Sequence, residues 1–122
     1  MNEAVDEVVI PGAAGYFGVL PGHTPLLALL GAGELWYRQG QQIHYFVMAF
    51  GFAEVLSDRV TILAEIAERA DEVDVARAQE AKKRAEERLV RPVVDMDAER
   101  ARIALLKSLI RLQVASRVKI RS

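Results

Sequence analysis

Val60-Thr61-Ile62-Leu63-Ala64-Glu65-Ile66-Ala67 runs into Glu68-Arg69-Ala70-Asp71-Glu72-Val73-Asp74-Val75-Ala76-Arg77-Ala78, and the rhythm of the side chains changes inside that stretch. In the first segment Val60, Ile62, Ala64 and Ile66 alternate with Thr61, Leu63, Glu65 and Ala67, which is the period of a half-buried strand. Past residue 70 there is one proline and no glycine, and Ala, Glu, Arg and Lys become dense, which is the composition of helices. Asp71 or Asp74 is predicted to cap the first helix, since a carboxylate accepts hydrogen bonds from free backbone N–H groups. The junction therefore separates a strand-forming half from a helix-forming half.

Upstream of it, turn residues punctuate short β-prone runs. Val8-Val9-Ile10 closes at Pro11-Gly12, and Tyr16 to Leu20 is stopped by Pro21-Gly22. Glu34 to Arg38 precedes a hairpin turn at Gln39-Gly40, where glycine tolerates positive φ. Ile43 to Leu56 is one bent strand or two broken at Gly51, and Ser57-Asp58 turns into the strand that begins at Val60. Such spacing predicts a sandwich or barrel. Downstream, Asp74 to Leu89 reads as a helix and Pro92 ends it. Asp95 or Asp97 caps a second helix running to about Val118. The expected class is α+β: an N-terminal antiparallel β-sandwich over 1–70, then a C-terminal antiparallel two-helix hairpin over 71–122.

Composition narrows the function. Of 122 residues, 52% are apolar and 27% charged, with net charge −1, which excludes a disordered chain and argues against a nucleic-acid binder. No cysteine is present, so thiol and disulfide chemistry are excluded. No apolar run approaches bilayer length, and the acidic start lacks the regions of a signal peptide. A cytosolic chain is expected, meeting a membrane only indirectly.

The helices carry more surface chemistry than the strands. Ala98, Ala101, Leu105, Ser108, Leu112 and Ala115 share one face of the second helix, and Ile103, Leu106, Ile110, Val114 and Val118 lie roughly opposite. A hairpin mate covers only one face, so the other must pack on the sandwich or on another protein. Arg77, Arg84 and Arg88 form a stripe on the first helix; Arg100, Lys107 and Arg111 form one on the second. Together they suit a phosphate group, or they are simply a solvated, ion-paired surface. His23 and His44, the only histidines, have no further ligands nearby in sequence, so no catalytic or metal residue is assigned. His23 reads as a loop-ordering or partner-facing residue. No glycine loop precedes a helix as phosphate-binding motifs require.

Several segments, in order, resemble one family. They are Val9-Ile10-Pro11-Gly12, Gly15-Tyr16-Phe17-Gly18-Val19-Leu20-Pro21-Gly22-His23-Thr24-Pro25-Leu26-Leu27, Ala49-Phe50-Gly51-Phe52-Ala53-Glu54-Val55, Val73-Asp74-Val75-Ala76-Arg77-Ala78 and Arg111-Leu112-Gln113-Val114-Ala115. They are similar to the epsilon subunit of bacterial and chloroplast ATP synthases. The resemblance implies a ten-stranded sandwich that binds the gamma subunit and rests on the membrane rotor ring. It implies a hairpin that lies folded or extends into the catalytic head and blocks ATP hydrolysis, in a chain without catalysis of its own. Such a subunit is peripheral, at the cytoplasmic face of the bacterial inner membrane. Tyr16, Pro21, Gly22 and His23, with Ile103, Leu106 and Ile110, are the implied partner interface. No cofactor is required, but Glu68, Val73, Asp74, Arg77, Arg84, Lys107 and Arg111 match a regulatory ATP site. Lys107 stands where tighter binders carry arginine, so weak binding or none is expected. A stand-alone ATP-responsive binding domain is the alternative. Two further departures are Tyr16 in place of an acidic residue and Phe50 in place of a glycine. The chain also starts well inside the usual family start, so the first strand and its turn are expected to be missing.

Overall fold

The computed structural model describes residues 3–90 and 95–121, and the turn expected at Pro92 lies outside them. The chain divides into two compact units, 1–69 and 70–122.

The first unit is one continuous antiparallel sheet in the order β2-β1-β3-β4-β5. Its strands are β1 (Glu7–Gly12), β2 (Gly15–Val19), β3 (Leu26–Gln39), β4 (Gln42–Val55) and β5 (Val60–Arg69). Among the described residues the sandwich is thus built from five strands, two of them long, rather than the ten the resemblance implies. One core joins both ends of the long strands: Leu30 with Leu35 and Tyr37 from β3, Phe46 and Met48 with Ala53 and Val55 from β4. The inward-facing set passes from even to odd numbers partway along each, so each long strand turns over once and keeps facing the core.

Backbone geometry marks where β4 turns over. Gly51 has φ 149°, and a Cβ there would run into the Leu63 carbonyl oxygen. Its neighbour Phe50 has φ 55°, so this chain holds a bulky residue in the left-handed region, at the position where the resemblance implies glycine. The expected turn at Gly40 is present with φ 60°. Beside it the acidic N-terminal segment is held rather than free. The Gly40 N–H donates to Asp6 Oδ2 at 2.6 Å, and Arg38 pairs with Asp6 (3.7 Å) and Glu7 (3.5 Å).

The expectation for β3 falls short by its whole first half, since Leu26 to Gly33 is strand as well. Leu26-Leu27-Ala28-Leu29-Leu30 does not alternate in polarity, and Gly31 and Gly33 look like breakers. Pairing with β4 from Leu26↔Val55 to Gln39↔Gln42 overrides both signals.

The second unit has a 3-10 turn (Ala70–Glu72), α1 (Val75–Val90) and α2 (Asp95–Arg121). Asp74 caps α1: its Oδ1 accepts the Arg77 N–H at 3.1 Å, and its carbonyl accepts the Ala78 N–H at 3.0 Å. Small residues line the buried faces: Ala78 and Ala85 on α1, Ala101 and Ser108 on α2. The Ser108 hydroxyl donates to the Ala104 carbonyl at 2.6 Å, which satisfies it within its own helix.

Candidate functional site

The loop between β2 and β3 is built by turn chemistry. Pro21 presets φ, Gly22 supplies φ 85°, and the His23 N–H donates to the Leu20 carbonyl at 3.2 Å, the arrangement of a type II turn. The Gly22 N–H donates to Ser57 O at 2.8 Å, tying this turn to the one between β4 and β5. Pro21 and Gly22 are exposed and His23 is half-buried, its Nδ1 lying 2.6 Å from the Thr24 carbonyl oxygen. Tyr16 exposes much of its ring, but its hydroxyl is engaged inside the unit, accepting the Glu34 N–H at 2.9 Å.

A second surface was missed with the first half of β3. Leu29 pairs with Phe52, and Phe52 with Leu63, in one row across three strands. All three are exposed, at 60%, 50% and 68%, and Leu27 beside them is exposed at 69%. Such a row on the outer face of a sheet has the makings of a partner surface. The signal in the sequence was the spacing of Leu27 and Leu29, hidden by Leu26, Ala28 and Leu30.

The expected interface on α2 divides. Ile103 and Leu106 are exposed, and Leu109 joins them. Ile110 differs from these two: it is 8% exposed, and Val114 beyond it is fully buried. The C-terminal half of α2 buries side chains on two sides, so Ile110 does not belong to the open stripe.

The residues matched to a nucleotide site fall in both units. Glu68 is half-buried on β5, in the first unit, where it pairs with Val47. The other six lie in the second. Val73 is half-buried before α1, and the Asp74 carboxylate is occupied by its cap. Arg77 and Arg84 each stand one residue before a buried alanine, and Arg100 and Lys107 each one residue before Ala101 and Ser108. One residue is ~100° of rotation. In an antiparallel pair, equal offsets from the two buried faces point to the same side. The hairpin therefore gathers Arg77, Arg84, Arg100 and Lys107 on one side, with Arg111 one turn beyond Lys107. Arg77 and Arg84 are exposed; Lys107 and Arg111 are half-buried. Clustered guanidinium and ammonium groups can hold an anion there.

Among the described residues no cluster of three His, Cys, Asp or Glu side chains is placed to hold a metal. One hydroxyl is perturbed: burial pushes Tyr37 above its ordinary pKa, Glu3 adds to this and Arg69 opposes it. Tyr37 stacks on His44 at 4.9 Å within the sheet, away from the surfaces above.

Comparison with known proteins accounts for both units. Residues 1–70 match the β-sandwich domain of the ATP synthase delta/epsilon chain, and residues 71–116 match its long α-helix domain. The chain is 47% identical over 119 residues to ATP synthase epsilon chain 2 of Syntrophotalea carbinolica, covering 96% of this chain and 86% of that one. It is 49% identical over 117 residues to the ATP synthase epsilon chain of Syntrophobacter fumaroxidans, covering 96% and 87%. A chain in the cryo-EM structure of the Euglena gracilis mitochondrial ATP synthase (OSCP/F1/c-ring) superposes with a TM-score of 0.69. That match has 22% identity and covers 99% of this chain and 72% of that one, a likeness of fold. With its sheet and its hairpin each matched in order, this chain belongs to the ATP synthase delta/epsilon chain family.

Proposed function

We propose that this chain is the epsilon-type central-stalk subunit of a proton-translocating ATP synthase. It couples the rotor ring to the catalytic head and restrains ATP hydrolysis through its hairpin, doing no chemistry itself. The observation that carries this reading is the ordered match of both units to the two domains of that family.

Each part has a surface suited to it. The Leu29–Phe52–Leu63 row is the face for the gamma subunit, because it offers apolar area on a rigid sheet. The Pro21–Gly22–His23 turn is the face for the rotor ring. Ile103, Leu106 and Leu109 on α2 are the surface that meets the head when the hairpin extends. The chain sits peripherally at the cytoplasmic face of the bacterial inner membrane, held there by protein. No described helix is long and apolar enough to cross a bilayer. ATP is a regulatory ligand rather than a cofactor, held weakly by Arg77, Arg84, Lys107 and Arg111 with the hairpin folded. Asp74 supports that site by capping α1, and Val73 and Glu68 flank it in sequence.

Reconstitution tests the reading. The full chain should co-elute with a matching gamma subunit, and a chain ending at Arg91 should still bind but no longer restrain ATP hydrolysis by the head. Failure of the full chain to co-elute would sink the coupling role. Unchanged hydrolysis with the shortened chain would sink the restraint. Calorimetry should show weak ATP binding that is lost in Arg84→Ala.

A further inference from the structure

We infer that Tyr16 is a positioning residue, a strut whose hydroxyl supplies the hydrogen-bond partner that β1 cannot give to β3. Through it the β1–β2 hairpin and the loop after it are held in place.

The need for the strut begins at Pro11. Proline has no N–H to give a ladder and is tolerated where the ladder is interrupted by a bulge. The β1–β3 ladder runs through Glu7↔Arg38, Val8↔Tyr37 and Val9↔Trp36, and resumes only at Gly12↔Leu30. Between those points residues 10 and 11 face residues 31–35. The extra length of β3 bulges, and the β1–β3 register skips residues 31–35. Glu34 lies in the bulge and is buried, at 6% exposure. An N–H drawn away from water needs an acceptor, and the Tyr16 hydroxyl is one.

Tyr16 meets that need from the edge strand. It is paired with Pro11 on β1, and its phenol passes over that proline to reach β3. The hydroxyl accepts the Glu34 N–H at 2.9 Å. Gly33 makes the passage possible. A Cβ at Gly33 would run into the Tyr16 hydroxyl and lie 2.8 Å from the Pro11 Cβ. Tyr16, Pro11 and Gly33 thus form one arrangement: a break in the ladder, a side chain that crosses it to accept an N–H, and a residue small enough to let it through. β2 ends three residues later at Val19, and the Leu20–His23 turn follows at once. Fixing Tyr16 on β3 therefore fixes one end of that turn, while the Gly22 to Ser57 bond fixes the other. The strut stands on the geometry alone. The statement that it positions a rotor-facing loop rests on the function proposed above.

Amide exchange on the isotopically labelled full chain separates the two. Tyr16→Phe keeps the ring and removes the acceptor. The Glu34 amide should exchange about tenfold faster, the worth of roughly one hydrogen bond. Gly22 and His23 should speed up by a smaller factor, and the Leu63 and Ala64 amides should not change. Unchanged exchange at Glu34 overturns the strut. A change at Glu34 with none at Gly22 and His23 overturns the positioning role. Gly33→Ala gives a second reading: it should destabilise the protein markedly less in a Tyr16→Ala background than in the wild type. Equal effects in both backgrounds overturn the strut. Affinity for the stalk and ring subcomplex should fall severalfold in Tyr16→Phe, and unchanged affinity overturns the link to the loop. A wild-type chain that does not bind the subcomplex would sink the proposed function and leave the exchange result standing.

Discussion

The sheet and the hairpin solve the same packing problem with different tolerances. In the sheet, single backbone positions decide whether distant strands can meet: Gly51 must accept φ 149° against the Leu63 carbonyl, and Gly33 must stay bare beneath Tyr16. In the hairpin no described backbone position is unusual. Small side chains at Ala78, Ala85, Ala101 and Ser108 let the helices approach, and a single cap starts α1. The sheet is accordingly specified by non-local geometry and is brittle, while the hairpin is specified by local pattern and is forgiving. A part that holds its shape and a part that can change partners fit the roles proposed for them.

That contrast can be broken most easily at Gly51. Gly51→Ala should cost ~3 kcal/mol or more, because it adds both strain and a backbone clash. Urea unfolding followed by Trp36 fluorescence reads it, as Trp36 lies in β3 and is the one tryptophan. Ala85→Leu, the comparable insult to the hairpin, should cost ~1–3 kcal/mol by overpacking. If it proves more damaging than Gly51→Ala, the contrast is reversed. Asp74→Ala should cost ~1 kcal/mol of helix stability while Asp74→Asn keeps most of it, since either Asp or Asn caps well. Circular dichroism melts compare the two.

Phe50 sharpens the sheet side. In ordinary strand positions alanine is better than glycine, but at φ 55° Phe50→Gly should be more stable than Phe50→Ala by ~1 kcal/mol. The usual order at this site would show that the left-handed geometry is not kept. The smallest effect is alkaline. The Tyr37 pKa is raised in the folded protein, so above about pH 10 the unfolded chain releases this proton before the native one does. Stability should be level below that pH and decline as pH rises through it, and Tyr37→Phe should flatten the decline.

How much could be read in advance follows the same division. The change of period near residue 70, the turn at Gly40 and the cap on α1 were legible because each is a local rule, although the sequence left Asp71 and Asp74 equal and the backbone selects Asp74. The first half of β3 was not, since Leu26 to Leu30 has no alternation and its strand character comes from β4. The exposed Leu29–Phe52–Leu63 row was invisible for the same reason: it exists only once three strands are in register. On α2, periodicity placed Ile103, Leu106 and Ile110 together, yet the described helix exposes the first two and buries the third. Angle around a helix does not report position along it. The basic side of the hairpin was anticipated as two stripes, and the antiparallel arrangement puts them on one side.

The bond from the Gly22 N–H to the Ser57 carbonyl joins two surface turns that are far apart in sequence. Because it runs from main chain to main chain, exchanging the side chain at Ser57 leaves it standing. The neighbouring side chains, His23 on one turn and Asp58 and Arg59 on the other, can therefore drift to match a changing counterpart without loosening the joint. A thrust delivered to either turn is shared by both, so this end of the sheet can be retuned chemically while its mechanics stay constant.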